Sequence, residues 1–397
     1  MKGIFFEGCM TLMAKNHLPI ADFFTSRDLN FTAVFVSADS GVNTNEEIEI
    51  LSEKKILQHN NYTSIHFTSF KSSKIEAYLI SEKPDFVFID AFRIYDQLWS
   101  AICYRLGIKV FSQQHGFEID TLSYKPITFL SNFKRGLRYT YAVFNLSKLS
   151  NSSFLKMYYQ YGKYIINGGQ LKKSLLGNIN FHPTIAFVYS EYYKEFWKRK
   201  YGFDKNKMVI ITPSDFLLIK DIKKTVSIDA CCYITMTLVE DGRMKKKDFI
   251  ELMKSYRAIA QSVNKFIIKL HPRVNSTFYE EIFHGLDNVI FTRDFPNCKS
   301  YITHYSSMAF TAALLSDIVV LHELPGHTTP EIFKKVASHI VKDTEGIIRI
   351  INQNIPSKLS FTEKKNQTEY YAAYTEENPY SIIYNTVIKN IKLNIIK

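Results

Sequence analysis

Three short constellations in this chain combine residue types and an order that could do chemistry: Glu240-Asp241-Gly242, His271-Pro272-Arg273 and Ser306-Ser307. Two adjacent carboxylates before a flexible glycine can present one side chain as a general base. A proline after His271 removes a backbone donor and ends a strand, holding the histidine at its lip with Lys269 and Arg273 beside it, a set suited to a phosphate. Two serines ahead of an apolar helix offer hydroxyls and unpaired backbone N–H groups to an anion. The same residues also fit a surface Asp-Gly turn, a solvated basic strand end and a helix cap.

Weaker candidates lie elsewhere. Gln113-Gln114-His115-Gly116 and Glu7-Gly8 follow strand-like runs in the first half, so Glu7, Gln114 and His115 are candidate substrate contacts. His182-Pro183 is set aside because it precedes a strand and no serine pair follows it at the right distance. Between His322-Glu323 and His327 lie Pro325 and Gly326, which reads as a loop after a strand; no metal is assigned to them.

Positioning these residues needs a scaffold of buried strands. Short β-branched or aromatic runs at 3–6, 33–36, 64–67, 86–89, 109–111, 186–190 and 208–212 alternate with helix-compatible stretches at 45–58, 73–81, 95–106 and 191–201. A second series has strands at 231–235, 265–270, 288–291, 301–303 and 318–321, with helices at 246–263, 277–283 and 308–315. This alternation predicts parallel sheets covered on both faces, an α/β fold of two Rossmann-like domains in tandem. The expected division is 1–220, 221–378, and an amphipathic C-terminal helix at 379–397. All three constellations then fall at the carboxyl ends of strands in the second domain, where such sheets place ligands.

Composition narrows the class. At 397 residues, 46% hydrophobic and 22% charged, the chain is long enough for two globular cores and too apolar for disorder. No run approaches the roughly 18 to 20 apolar residues of a membrane-spanning helix. The apolar run at the N-terminus stops at Glu7, and a cytoplasmic location is expected. Cys9, Cys103, Cys231, Cys232 and Cys298 are scattered without CxxC spacing, so neither a disulfide framework nor a zinc site is expected. The formal charge of +12 is local: no acid lies between Asp120 and Glu191, a segment with nine Lys and Arg and fourteen Phe and Tyr. Basic residues among aromatics suit an anionic membrane surface, an anionic glycan or nucleic acid, or merely a solvated helical hairpin. No nucleic-acid-binding signature accompanies the segment, and no nucleic acid is expected.

An acidic pair with Gly, a His-Pro and a Ser-Ser, in this order within residues 230–325, resembles the bacterial sialyltransferases of the GT-B fold, nearest the lipooligosaccharide sialyltransferase and capsular polysialyltransferase type. The resemblance implies two Rossmann-like domains facing a central cleft. It implies an inverting, metal-independent glycosyltransferase using a CMP-activated acidic sugar and no further cofactor, in lipopolysaccharide or capsule biosynthesis. Asp241 would be the general base with Glu240 its neighbour. His271 would assist departure of the CMP phosphate, and Ser306 and Ser307 would bind it, with Gly242, Lys269, Pro272 and Arg273 alongside. Domain 1–220, carrying the basic aromatic segment 121–190, would take a glycan or glycolipid acceptor at the inner face of a bacterial cytoplasmic membrane, held there peripherally. A CMP-Kdo transferase or a CDP-glycerol-type polyol-phosphate transferase would share these features. A non-catalytic glycan- or nucleic-acid-binding protein would keep the basic segment and tolerate loss of Asp241.

Overall fold

The structure, a computed structural model, describes residues 1–38, 46–67, 69, 71–90, 93–117, 129–166, 181–240, 242–271, 274–375 and 377–392. The chain forms two compact units, the first from Met1–His115, Pro126–Ile211 and Thr375–Lys397, the second from Gly116–Lys125 and Thr212–Tyr374.

In the first unit the elements are β1 (Lys2–Glu7), α1 (Met10–Asn16), α2 (Leu18–Arg27), β2 (Thr32–Ser37), α3 (Glu46–Ile56), β3 (Tyr62–His66), α4 (Ser72–Glu82), β4 (Phe86–Ile89), α5 (Ile94–Arg105), β5 (Lys109–Gln113), α6 (Phe129–Leu149), α7 (Phe154–Ile166), β6 (Ile185–Val188), α8 (Glu191–Tyr201) and β7 (Met208–Ile210). The seven strands form one parallel sheet in the order β3-β2-β1-β4-β5-β6-β7. β4 is buried along its whole length and β1 from Gly3 onward, as a sheet covered on both faces requires. Five phenylalanines form one row across this sheet. Phe35, Phe5, Phe88, Phe111 and Phe187 follow one another on neighbouring strands with ring centroids 5.3, 5.5, 5.6 and 6.5 Å apart.

The basic aromatic segment contains a helical hairpin, α6 and α7. On α6, Ala142, Val143 and Leu146 are buried while Leu137, Tyr141 and Phe144 are exposed in a stripe that ends at Lys148, whose ammonium lies 4.2 Å from the Phe144 ring centre. On α7, Leu155, Tyr158 and Tyr159 are exposed at helical spacing. Most of the remaining cations of the segment lie outside the described side chains.

The second unit holds α9 (Leu217–Ile222), β8 (Ile228–Ile234), α10 (Lys246–Ser262), β9 (Phe266–Lys269), α11 (Ser276–Phe283), β10 (Val289–Thr292), β11 (Cys298–Thr303), α12 (Met308–Ala313), β12 (Ile318–His322), α13 (Glu331–Val336), β13 (His339–Val341), α14 (Thr344–Asn352) and α15 (Phe361–Tyr371). Its parallel sheet runs β10-β9-β8-β11-β12-β13, one strand more than the sequence pattern predicts. The second series therefore continues past 321 into β13, α14 and α15. Phe117 lies face to face on Phe310, ring centroids 3.8 Å apart.

The last helix, α16 (Pro379–Lys392), packs on α2 of the first unit, with Tyr384 against Phe24 at 4.9 Å and Phe23 at 6.1 Å. The unit changes at Ile211/Thr212 and again at Tyr374/Thr375.

Candidate functional site

In the second sheet the chain leaves β8 outward through β9 and β10, then returns to β11 on the other side of β8. The β8/β11 edge is thus the switch point where doubly wound sheets open a crevice beyond their carboxyl ends. Residues of all three constellations follow the adjacent strands β9, β8 and β11.

After β8 the backbone stays buried through Leu238 and then turns sharply. Gly242 N–H donates to Val239 C=O (2.9 Å), and Arg243 and Met244 both donate to Leu238 C=O (2.8 and 2.9 Å). Gly242 has φ +65°, the left-handed region that a side chain at this turn would disfavour. Glu240 is exposed beside it, and Asp241 lies outside the described residues.

After β9, His271 is half-buried and its backbone N–H donates to Thr235 Oγ1 at 2.8 Å. Val274 N–H closes the following turn on His271 C=O (3.0 Å). Pro272 and Arg273 lie outside the described residues. Lys269 folds its ammonium onto Leu270 C=O (3.2 Å).

After β11, Ser306 and Ser307 are half-buried ahead of α12. Ser307 stands at the N-cap position of α12 but its side chain caps no backbone N–H, while Ser306 Oγ, one residue earlier, accepts Met308 N–H at 3.3 Å. The neighbouring His304 is a core residue. Its Nδ1 lies 2.9 Å from His322 C=O, which can only accept, so Nδ1 carries the proton and Nε2 accepts from Tyr233 Oη (3.2 Å). Burial, helped by His322, brings its pKa down to about 3, so it is neutral. His322 is likewise engaged, with Tyr256 Oη 2.8 Å from its Nδ1. Glu323 pairs with Lys334 at 2.8 Å and borders a hollow of about 620 Å³ at the ends of β12 and β13, lined also by Lys342, Asp343 and Arg349.

The first sheet has its own switch point between β1 and β4, and a polar cluster sits there. Glu7 ends β1 and is fully buried. Its Oε1 accepts from Gly8 N–H (2.6 Å) and from the Arg93 guanidinium. Its Oε2 lies 3.5 Å from His115 Nε2 and 3.8 Å from His17 Nε2. Arg93 also grips Asp96 through Nε and Nη2 (3.0 and 3.1 Å) and lies 3.6 Å from Asp90. Burial opposes the charge on Glu7, but Arg93, the histidines and Gly8 N–H outweigh it and hold the carboxyl at about 2. Burial, with Asp90 and Glu7 adding repulsion, pushes Asp96 up to about 8. Burial lowers His17 to about 3.

Of the residues expected from sequence, Glu7 and His115 come together here. Gln114 does not face an opening: its N–H extends the ladder to Phe187 C=O (2.8 Å) and its Oε1 accepts Tyr189 N–H (3.0 Å). Arg93, His17 and Asp96 escaped the sequence reading. Arg93 follows β4 at the same carboxyl edge, which is a signal that could have found it; His17, between two helices, carries none.

No family model matches the chain, and no curated protein does. Solved structures do. The UDP-GlcNAc 2-epimerase of Neisseria meningitidis bound to UDP-GlcNAc is similar at TM-score 0.54 and 13% identity, over 98% of this chain and 100% of that one. The glycosyltransferase VinC in complex with DTDP is similar at 0.53 and 9%, over 99% and 100%. The wall teichoic acid polymerase TagF is similar at 0.52 and 11%, over 99% and 90%. At these identities the likeness is one of fold: this chain has the two Rossmann-like α/β units of GT-B proteins.

Proposed function

We propose that this chain is a glycosyltransferase that transfers a sialic-acid-like sugar from a CMP donor to a bacterial surface glycan, with inversion and with no metal at the phosphate. The observation that carries the reading is the occupancy of one switch point. The Gly242 turn, His271 and the Ser306-Ser307 pair follow three adjacent strands on the edge where such sheets bind ligands. The resemblance of these motifs to GT-B sialyltransferases supplies the donor.

In this reading Asp241 takes the proton of the acceptor hydroxyl as its oxygen bonds to the anomeric carbon. The bond from that carbon to the phosphate oxygen breaks, and CMP leaves with the electron pair. His271 and the two serine hydroxyls stabilise the charge that develops on the phosphate. Glu323 and the hollow beside it would take the nucleoside. The acceptor would engage the first unit, and the exposed aromatic and basic hairpin would hold the protein peripherally on an anionic membrane. The similarity to a wall teichoic acid polymerase keeps a CDP-glycerol-type polyol-phosphate transferase as the second reading.

A donor panel decides between them. Purified full-length protein is incubated with CMP-sialic acid, CMP-Kdo and CDP-glycerol, and hydrolysis or transfer is followed together with binding. Turnover of CMP-sialic acid is expected; turnover of CDP-glycerol alone selects the second reading, and neither binding nor turnover of any donor removes both.

A further inference from the structure

We propose that Glu7, His17 and His115 bind a divalent transition-metal ion of the zinc class at the carboxyl edge of the first sheet. One ligand atom from each residue lies within 4.8 Å of the other two. The Glu7–His115 and Glu7–His17 separations, 3.5 and 3.8 Å, stand close to the roughly 3.4 Å between neighbouring ligand atoms of a tetrahedral site with bonds of about 2.0–2.1 Å.

The converging atoms are otherwise unexplained. Glu7 Oε2, His115 Nε2 and His17 Nε2 are buried without a hydrogen-bond partner, as is His17 Nδ1 on the far side of its ring. Buried polar atoms are nearly always satisfied, and here three side chains turn such ligand atoms toward one another. A cation suits it better than an anion. Around Arg93 stand Glu7, Asp90 and Asp96; burial favours the protonated form of Asp96, and Glu7 and Asp90 still outnumber the one guanidinium.

Glu7 has the outer support of a metal ligand. Gly8 N–H and Arg93 hold Glu7 Oε1, which turns Oε2 toward the histidines. His17 packs against the neighbouring rings of Phe5 and Phe88, with centroids 5.7 and 6.2 Å away. His115 is 16% exposed, whereas Glu7 and His17 are fully buried. Three protein ligands with one side reaching solvent leave a fourth position for water or a substrate oxygen, the arrangement of open zinc sites. This inference does not rest on the transferase reading, since the phosphate chemistry above takes place at the second unit's motifs.

The test is metal content and cobalt spectroscopy on the full chain. Protein stripped with a chelator and dialysed against Zn²⁺ should retain one equivalent, and Co²⁺ should give the intense visible absorption of a four-coordinate site. His115→Gln, at the accessible edge, should fold as the wild type and lose affinity at least about tenfold, as should Glu7→Gln. His59→Gln, at an exposed histidine beside Asp22, should leave the stoichiometry unchanged. Folded wild type retaining less than a tenth of an equivalent overturns the proposal, and so does one-equivalent binding that His115→Gln does not weaken. Both readouts are independent of any sugar donor.

Discussion

Thr235 Oγ1 accepts the backbone N–H of His271 at 2.8 Å, tying the end of β8 to the end of β9. The side chain of Thr235 is buried, so the hydroxyl fixes the backbone of His271 by one short link. Thr235→Val removes the acceptor while keeping shape, and leaves a peptide donor unsatisfied at a cost of about 1–3 kcal/mol. Transfer from CMP-sialic acid is expected to fall about tenfold in kcat, with Thr235→Ser close to wild type. Equal kcat for the valine and serine variants would separate this link from catalysis.

Asp241→Asn is expected to abolish transfer while CMP binding, read by calorimetry, stays nearly unchanged. His271→Ala should weaken both, because its imidazole is assigned to the phosphate. An Asp241→Asn enzyme as active as wild type removes Asp241 from the mechanism.

Arg93 is the cation that keeps Glu7 ionised inside the first unit. Arg93→Met leaves a buried carboxylate uncompensated, and urea denaturation should show a loss of about 3 kcal/mol. Adding Glu7→Gln should recover part of that loss, because the two side chains act as a pair. Strict additivity of the two substitutions would contradict the arrangement around Glu7.

His304 makes stability pH-dependent with a definite sign. In the folded chain it takes a proton only near pH 3, whereas the unfolded side chain does so at its ordinary value of 6.5. Between these values the unfolded state binds more protons, so this contribution is intact above pH 6.5 and is lost as the pH falls toward 3. The slope is about 1.4 kcal/mol per pH unit. His304→Gln keeps a donor for His322 C=O and an acceptor for Tyr233, and should reduce the slope by one proton between pH 6 and 4. An unchanged slope in the variant would assign the acid sensitivity to other groups.

For the helical hairpin, flotation with vesicles containing anionic lipid should show binding that weakens with salt, since each Lys or Arg near such a surface contributes roughly 1 kcal/mol. Leu155→Asp combined with Tyr159→Asp should remove it without changing donor turnover in solution. Binding indifferent to lipid charge would return α6 and α7 to a plain cover on the first sheet.

The strands were legible because parallel sheets bury both faces. Runs such as Phe86–Ile89 and Ile318–His322 therefore stand out as continuous apolar stretches between polar helices. α1 and α2 were not legible: Met10–Arg27 mixes apolar residues on all sides, and their junction at His17-Leu18-Pro19 hides two helices in one run. β13 has only three residues, of which none is fully buried, so no pattern announced it. The motifs of the second unit could be read because each is short and local. The cluster around Glu7 could not, since Glu7, His17, Arg93 and His115 are brought together by sheet order and a helix junction rather than by spacing.

The return of α16 to α2 makes the first unit a discontinuous one. A chain emerging from the ribosome has all seven strands of the first sheet in hand by Ile210, yet the face of α2 that receives Tyr384 stays open until the second unit has been synthesised. The second unit can therefore finish folding before the first is sealed. A truncation just before Pro379 should damage the N-terminal half of the molecule, far away in sequence, while sparing the half it adjoins.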